Sequence, residues 1–150
     1  MRPPVAYPTE CPACTGRLER DEDKAVIRCV NSLRCPAQLR AAVRHFASRG
    51  AMDIEGLGAK LVDQLVDLGH ISRLSDIYRL EHRQLSTMDR MGSKSADNVL
   101  EAIQRSKTQP LHRALVALGI PEVGEATARD LSDNFGSLHL MKQASEHELC

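Results

Sequence analysis

Apolar side chains recur along most of this chain at intervals of three and four, the period of a helix with one buried face. Leu39, Ala42, Val43 and Phe46 mark the first such run, with Pro36 at its start and Gly50 beyond its end. Proline is tolerated at a first helical position because that N–H has no intrahelical partner, so the pattern predicts a helix from Pro36 to about Arg49. Leu61, Val62, Leu65 and Leu68 define a second run stopped by Gly69. Ala96, Val99, Leu100 and Ile103 define a third, and Ala126, Ala128, Leu131 and Phe135 a fourth. Shorter helices are expected around Glu81–Ser86 and Pro110–Leu118. Upstream the period changes. Arg17–Arg20 and Ala25–Cys29 flank the polar turn Asp21-Glu22-Asp23-Lys24 and read as a β-hairpin. Residues 1–10 carry Pro3, Pro4 and Pro8 and read as an extended lead-in.

The later helices repeat. Ile54-Glu55-Gly56-Leu57-Gly58, Met88-Asp89-Arg90-Met91-Gly92 and Ile120-Pro121-Glu122-Val123-Gly124 each precede an amphipathic run, and their final glycines stand 34 and 32 residues apart. The unit is helix, tight turn, helix. A turn this short is expected to need positive φ, at Gly58 in the first of them, which glycine supplies without a Cβ clash. Its amides would then face outward at a helix N-terminus, where the dipole and unpaired N–H groups favour an anion. Such a turn grasps phosphate without reading bases. The competing reading is plain helical hairpins with glycine caps, which repetition at nearly one period disfavours. The expected backbone-contacting residues are Gly56, Gly58, Lys60, Arg90, Gly92, Lys94 and Gly124. The two lysines stand two places after their glycines. Only the first turn has both glycines. Arg90 holds the earlier place in the second and favours phosphate, whereas Glu122 and Glu125 in the third repel it.

Four of the five cysteines lie between positions 11 and 35, as Cys11-Pro12-Ala13-Cys14, Cys29 and Cys35. Two cysteines separated by two residues can turn both sulfurs toward one ion, and a hairpin can return the other pair. Four thiolates form a closed, soft, tetrahedral shell that suits structural Zn²⁺. Rubredoxin-like iron fits less well, since the second pair is not a CxxC knuckle. Disulfides lack a secretory context, and a redox role for Cys11 and Cys14 would need thiols free to exchange. Arg17, Arg20, Arg28 and Arg34 are expected to offset part of the site's negative charge or to meet phosphate. His45 is expected on a helix surface or packed, and not as a ligand.

Composition narrows the picture further. With 42% hydrophobic but only 3% aromatic residues, Leu, Ala, Val and Ile must fill the core. The net charge of zero divides into nine Lys/Arg against five Asp/Glu in residues 1–50 and eleven against fifteen in residues 51–150. That balance excludes a strongly basic binder and leaves phosphate contact to local devices. No stretch reaches the roughly 18 apolar residues of a membrane span, and the start lacks the apolar core of a signal peptide. A cytoplasmic protein with no membrane partner is expected.

At this point the residues resemble a known family. Cys11-x2-Cys14-x14-Cys29-x5-Cys35-Pro36-Ala37-Gln38-Leu39, the run His45 to Gly58, Met91-Gly92-Ser93-Lys94-Ser95-Ala96 and the run Ala117 to Ala128 are similar to the C-terminal half of bacterial NAD-dependent DNA ligases. The resemblance implies a mainly α fold with a four-cysteine zinc finger, built on a β-hairpin, followed by tandem helix-hairpin-helix repeats. It implies boundaries at 1–10 for the lead-in, 11–36 for the finger and 37–150 for the repeats. It also implies a part that holds a nicked duplex, without base preference, during DNA replication and repair. The family's adenylated lysine lies in Lys-x-Asp-Gly, and no Asp here precedes Gly. Adenylation, with its NAD and Mg²⁺, is therefore expected in ligase domains missing from this chain, and no catalytic residue is predicted within it. Ser145-Glu146-His147-Glu148-Leu149 echoes Glu81–Leu85, which predicts a capped helix opening a fourth repeat that the chain leaves truncated. Leu138, Leu140 and Met141 are then expected to be underburied. The alternative is a free-standing zinc and hairpin module that binds protein, separable by salt-dependent duplex binding.

Overall fold

Three residues on each side of the first turn pair as antiparallel strands, β1 (Leu18–Arg20) and β2 (Ile27–Cys29), with Leu18 opposite Cys29 and Arg20 opposite Ile27. The computed structural model describes residues 6–20 and 26–149, so the turn expected at Asp21–Lys24 lies outside the described residues, as does the first half of the lead-in. A single 3-10 turn, Ser32–Arg34, leads from β2 into α1 (Pro36–Ala47), with Pro36 in its first turn.

Helix α1 ends two residues before the expected Arg49, for a reason the local pattern does not contain. Its last carbonyls must find donors outside the helix, and the returning chain supplies them. Met52 N–H donates to Phe46 O at 3.0 Å, Ile54 N–H to Ala47 O at 2.9 Å and Asp53 N–H to Ser48 O at 2.9 Å. The chain then enters α2 (Ala59–Asp67), completing the first hairpin. A 3-10 stretch, Leu74–Arg79, crosses to the second, formed by α3 (His82–Ser86) and α4 (Ser93–Ser106). The third is α5 (Leu111–Ala117) and α6 (Glu125–Phe135). Two short helices follow, α7 (Leu138–Gln143) and α8 (Glu146–Leu149). The cap expected at Ser145 is present, its backbone N–H and hydroxyl both donating to Glu148 Oε2 at 2.8 Å. Among the described residues no helix is long and apolar enough to cross a membrane.

The first two hairpins share one aliphatic core. Leu39, Val43 and Phe46 of α1 meet Leu61, Val62 and Leu65 of α2, with Ile71, Ile77 and Leu85 between them and Ala96, Val99 and Ile103 of α4. Phe46 meets Tyr78 edge-on, ring centroids 6.1 Å apart. The third hairpin contributes one buried residue, Ala117, to this core, with Ala114 partly buried against it. Hydrogen bonds add to this attachment: Arg113 Nε donates to Ala51 O at 2.7 Å, Arg113 Nη2 bonds Arg49 O, and His45 Nε2 lies 2.7 Å from Val116 O. His45 is thus a bracing residue. Leu138 and Leu140 are about half exposed, at 48% and 52%, and Met141 is half-buried.

Candidate metal centre and nucleic-acid interface

The Cys11-Pro12-Ala13-Cys14 knuckle closes on backbone bonds: Thr15 N–H donates to Cys11 O and Cys11 N–H to Gly16 O, both at 2.8 Å. Strand β2 returns Cys29, and Cys35 is the N-cap of α1. The four sulfurs lie within 4.8 Å of one another, with Cys11 and Cys35 3.8 Å apart and Cys14 and Cys29 3.4 Å apart. A tetrahedral ion with Zn–S bonds of about 2.3 Å would space its sulfurs by about 3.8 Å, whereas a disulfide would bring a pair to about 2.0 Å. The donor set therefore fits a four-thiolate zinc ion and not two disulfides.

Four thiolates around Zn²⁺ leave two negative charges, so donors around sulfur matter. None of Arg17, Arg20, Arg28 or Arg34 hydrogen-bonds a cysteine sulfur among the described residues. Arg17 pairs with Glu19, and Arg20 lies 6.0 Å from the centre of the Tyr7 ring. Any offset from them acts through space. Among the described residues the direct side-chain donor is Asn31, whose Nδ2 lies 3.4 Å from Cys14 Sγ. The Gly16 N–H, helped by Asn31, lowers the Cys14 thiol to about 6 despite its desolvation. The Asn31 N–H acts the same way on Cys29, but desolvation and the neighbouring thiols outweigh it and push that thiol up to about 11. Gly16 is needed sterically: a Cβ there would stand 2.3 Å from Asn31 Nδ2 and 3.2 Å from Cys14 Sγ. Neither Asn31 nor Gly16 carries a sequence signal as distinct as the cysteines.

The three hairpin turns share one backbone form, which corrects an expectation. Positive φ falls on the earlier place of each turn, at Gly56 (85°), Arg90 (59°) and Glu122 (65°). The repeated glycines Gly58, Gly92 and Gly124 are extended N-caps with φ of −79°, −78° and −83°. Conformational freedom is thus used at Gly56, while Arg90 and Glu122 adopt a left-handed conformation costing about 1–2 kcal/mol. The repeated glycines have another use. A Cβ on any of them would point into open space, and no side chain caps any of the three helices. Their first-turn amides are left bare on the outer face.

Two of these turns converge. Gly56, Gly58, Ala59 and Lys60 from the first hairpin and Asp89, Arg90 and Met91 from the second line one recess, together with Gln64. Lys60, Arg90 and Lys94 are exposed and form no ion pair with a described residue. Gly92 and Lys94 do not line the recess, and Gly124 belongs to the separate third hairpin. There Glu125 is held below the usual carboxylate range by the hydrogen bond and charge of Arg129, so it stays ionised beside the turn. Gln64 was not marked by the sequence pattern, because its turn partner lies 25 residues away.

Comparison with known proteins covers nearly the whole chain. Residues 10–37 match the NAD-dependent DNA ligase C4 zinc finger domain, residues 49–105 a SAM-like helix-hairpin-helix tandem, and residues 113–150 a helix-hairpin-helix motif. The DNA ligase of Cellvibrio japonicus (strain Ueda107) is 53% identical over 97% of this chain, and that of Methylococcus capsulatus (strain Bath) 51% over 97%. The DNA ligase of Synechococcus sp. (strain CC9605) is 49% identical over 95%. The chain spans only about a fifth of the length of these relatives, 22%, 22% and 21% respectively. With a metal centre sized for zinc, tandem hairpins in series and about half of the aligned residues shared, the chain matches the NAD-dependent DNA ligase zinc finger and the helix-hairpin-helix part of these DNA ligases.

Proposed function

We propose that this chain grips the backbone of duplex DNA near a nick, without base preference, as part of a ligase acting in replication and repair. Strand sealing, with its NAD and Mg²⁺, belongs in this reading to other domains of the ligase, and zinc is structural. The observation that carries the reading is the recess on which one bare glycine N-cap, Gly58, converges with Lys60 and Arg90. Unpaired amides, one helix dipole and two cations suit a phosphate. Gly56, Gly58 and Lys60 are the first contacts, with Arg90, Gly92 and Lys94 following the backbone onward. Gly124 is the weakest, because Glu125 faces the same space.

Gly58→Val and Lys60→Glu test this. Valine fits the extended backbone at position 58 and meets no neighbour, so losing the N-cap glycine should cost no more than about 1 kcal/mol of stability. Its branched side chain would nevertheless cover the amides. Each substitution should weaken binding to nicked duplex by roughly tenfold to a hundredfold, the range for one lost hydrogen bond to a charged group. The loss should be alike for every sequence, and the parent's affinity should fall steeply with salt. Binding unaffected by both substitutions, or indifferent to salt, would remove the duplex reading in favour of a protein-binding module.

A further inference from the structure

The first two hairpins are seated on each other, and the seating is unequal. Positions 34 apart correspond: Gly58 with Gly92, Glu55 with Asp89, Gln64 with Asn98 and Leu65 with Val99. The first turn rests on α4 by shape. A Cβ on Gly56 would stand 2.8 Å from Val99 Cγ2, so backbone and side chain are already in contact. The second turn has an arginine where the first has Gly56, and it rests on α2 through one hydrogen bond: Asp89 N–H donates to Gln64 Oε1 at 2.9 Å. The corresponding Asn98 lines the space beside Glu55 and Gly56 but makes no hydrogen bond among the described residues. It is one methylene shorter.

We propose that Gln64 is a positioning residue that fixes the Asp89-Arg90 turn relative to Gly58 and Lys60, so that both turns meet the same backbone together. The proposal rests on the phosphate-gripping reading above. Its physical basis is preorganisation. Two weak grips held at a fixed spacing bind as one, because engaging the first places the second at high effective concentration. The amide's orientation is set by the donor it faces: an N–H requires the carbonyl oxygen, so Nε2 is turned away from Asp89. Gln64 also lines the recess that holds Lys60 and Arg90, so its bond lies between the two grips.

Gln64→Asn is the decisive substitution, since it keeps the amide and removes the methylene that gives it reach. In the full chain, exchange of the Asp89 amide with solvent should quicken by about tenfold as the turn opens locally. Affinity for a nicked duplex should fall by roughly fivefold to tenfold, and the slope of log affinity against log salt should shrink by about one phosphate contact. The melting temperature should change little, because an exposed hydrogen bond is being removed. Asn98→Gln is the converse test. It should reach the Glu55 N–H, slow that amide's exchange and tighten binding. Lys60→Glu separates the two levels of the argument. If Lys60→Glu weakens binding while Gln64→Asn leaves affinity and slope at parent values, the positioning role is wrong and the grip stands. If Lys60→Glu has no effect, the grip and the positioning role fall together. If Gln64→Asn weakens binding while Asp89 exchange is unchanged, Gln64 touches the backbone directly and the positioning role is overturned.

Discussion

Replacing Cys29 with serine is expected to release the metal and unfold the finger while leaving the hairpin helices folded. Within the described part of residues 11–35 the only buried apolar side chains are Cys11 and Cys35. Without an aliphatic core, folding free energy must come from the ion, and structural zinc supplies about 10–16 kcal/mol in finger peptides. The helices draw on a separate store, the cluster from Leu39 to Ala117. Bound zinc should therefore fall from one per chain to none and the β1–β2 resonances should collapse, with most helical ellipticity retained. Acidification should act in the same direction. Ligands must be deprotonated to bind, and without metal Cys29, pushed up to about 11, carries a proton at neutral pH. Zinc uptake should then release protons and tighten as pH rises. A serine variant that keeps full zinc content and its hairpin resonances would refute the assignment.

Gly56→Ala should be the most damaging single change in the hairpins. Its φ of 85° is one that side chains rarely adopt, and the new Cβ would meet Val99 Cγ2 at 2.8 Å. The left-handed conformation costs about 1–2 kcal/mol for an L-residue, and overpacking typically adds about 1–3 kcal/mol. A fall in melting temperature of about 10 °C follows at a few degrees per kcal/mol. Gly58→Ala, two residues on, meets nothing within 4 Å and should cost about 1 kcal/mol or less. Calorimetry on the pair would reverse the assignment if position 58 proved the more sensitive.

That pair also shows where the sequence was legible. The repeated glycine is conspicuous because Gly58, Gly92 and Gly124 recur at nearly one period, and the recurrence correctly located three helix starts. It misplaced the positive φ, because the pattern cannot distinguish a glycine kept for backbone freedom from one kept for a bare surface. Arg90 and Glu122 hide the left-handed position, since the packed hairpin imposes a conformation their identities do not announce. The cysteine spacing exposed the metal centre because ligand chemistry is local. Asn31 beside Cys14 and Gln64 beneath Asp89 were illegible, because each acts through a contact made only when distant segments meet. The early end of α1 is of the same kind, set by donors on the returning loop.

The mutual seating of the first two hairpins bears on how such a chain can be cut and rejoined. The turn at Gly56 rests on Val99, and the turn at Asp89 is bound by Gln64. A recombination break between Gly69 and Leu80 would give each product one unsupported turn and one uncovered helix face. Transplanting a single hairpin would carry the same defect into its new host. Residues 36–106, the four helices of the first two hairpins, are in this sense the piece of the chain that can be inherited, duplicated or grafted with its geometry intact.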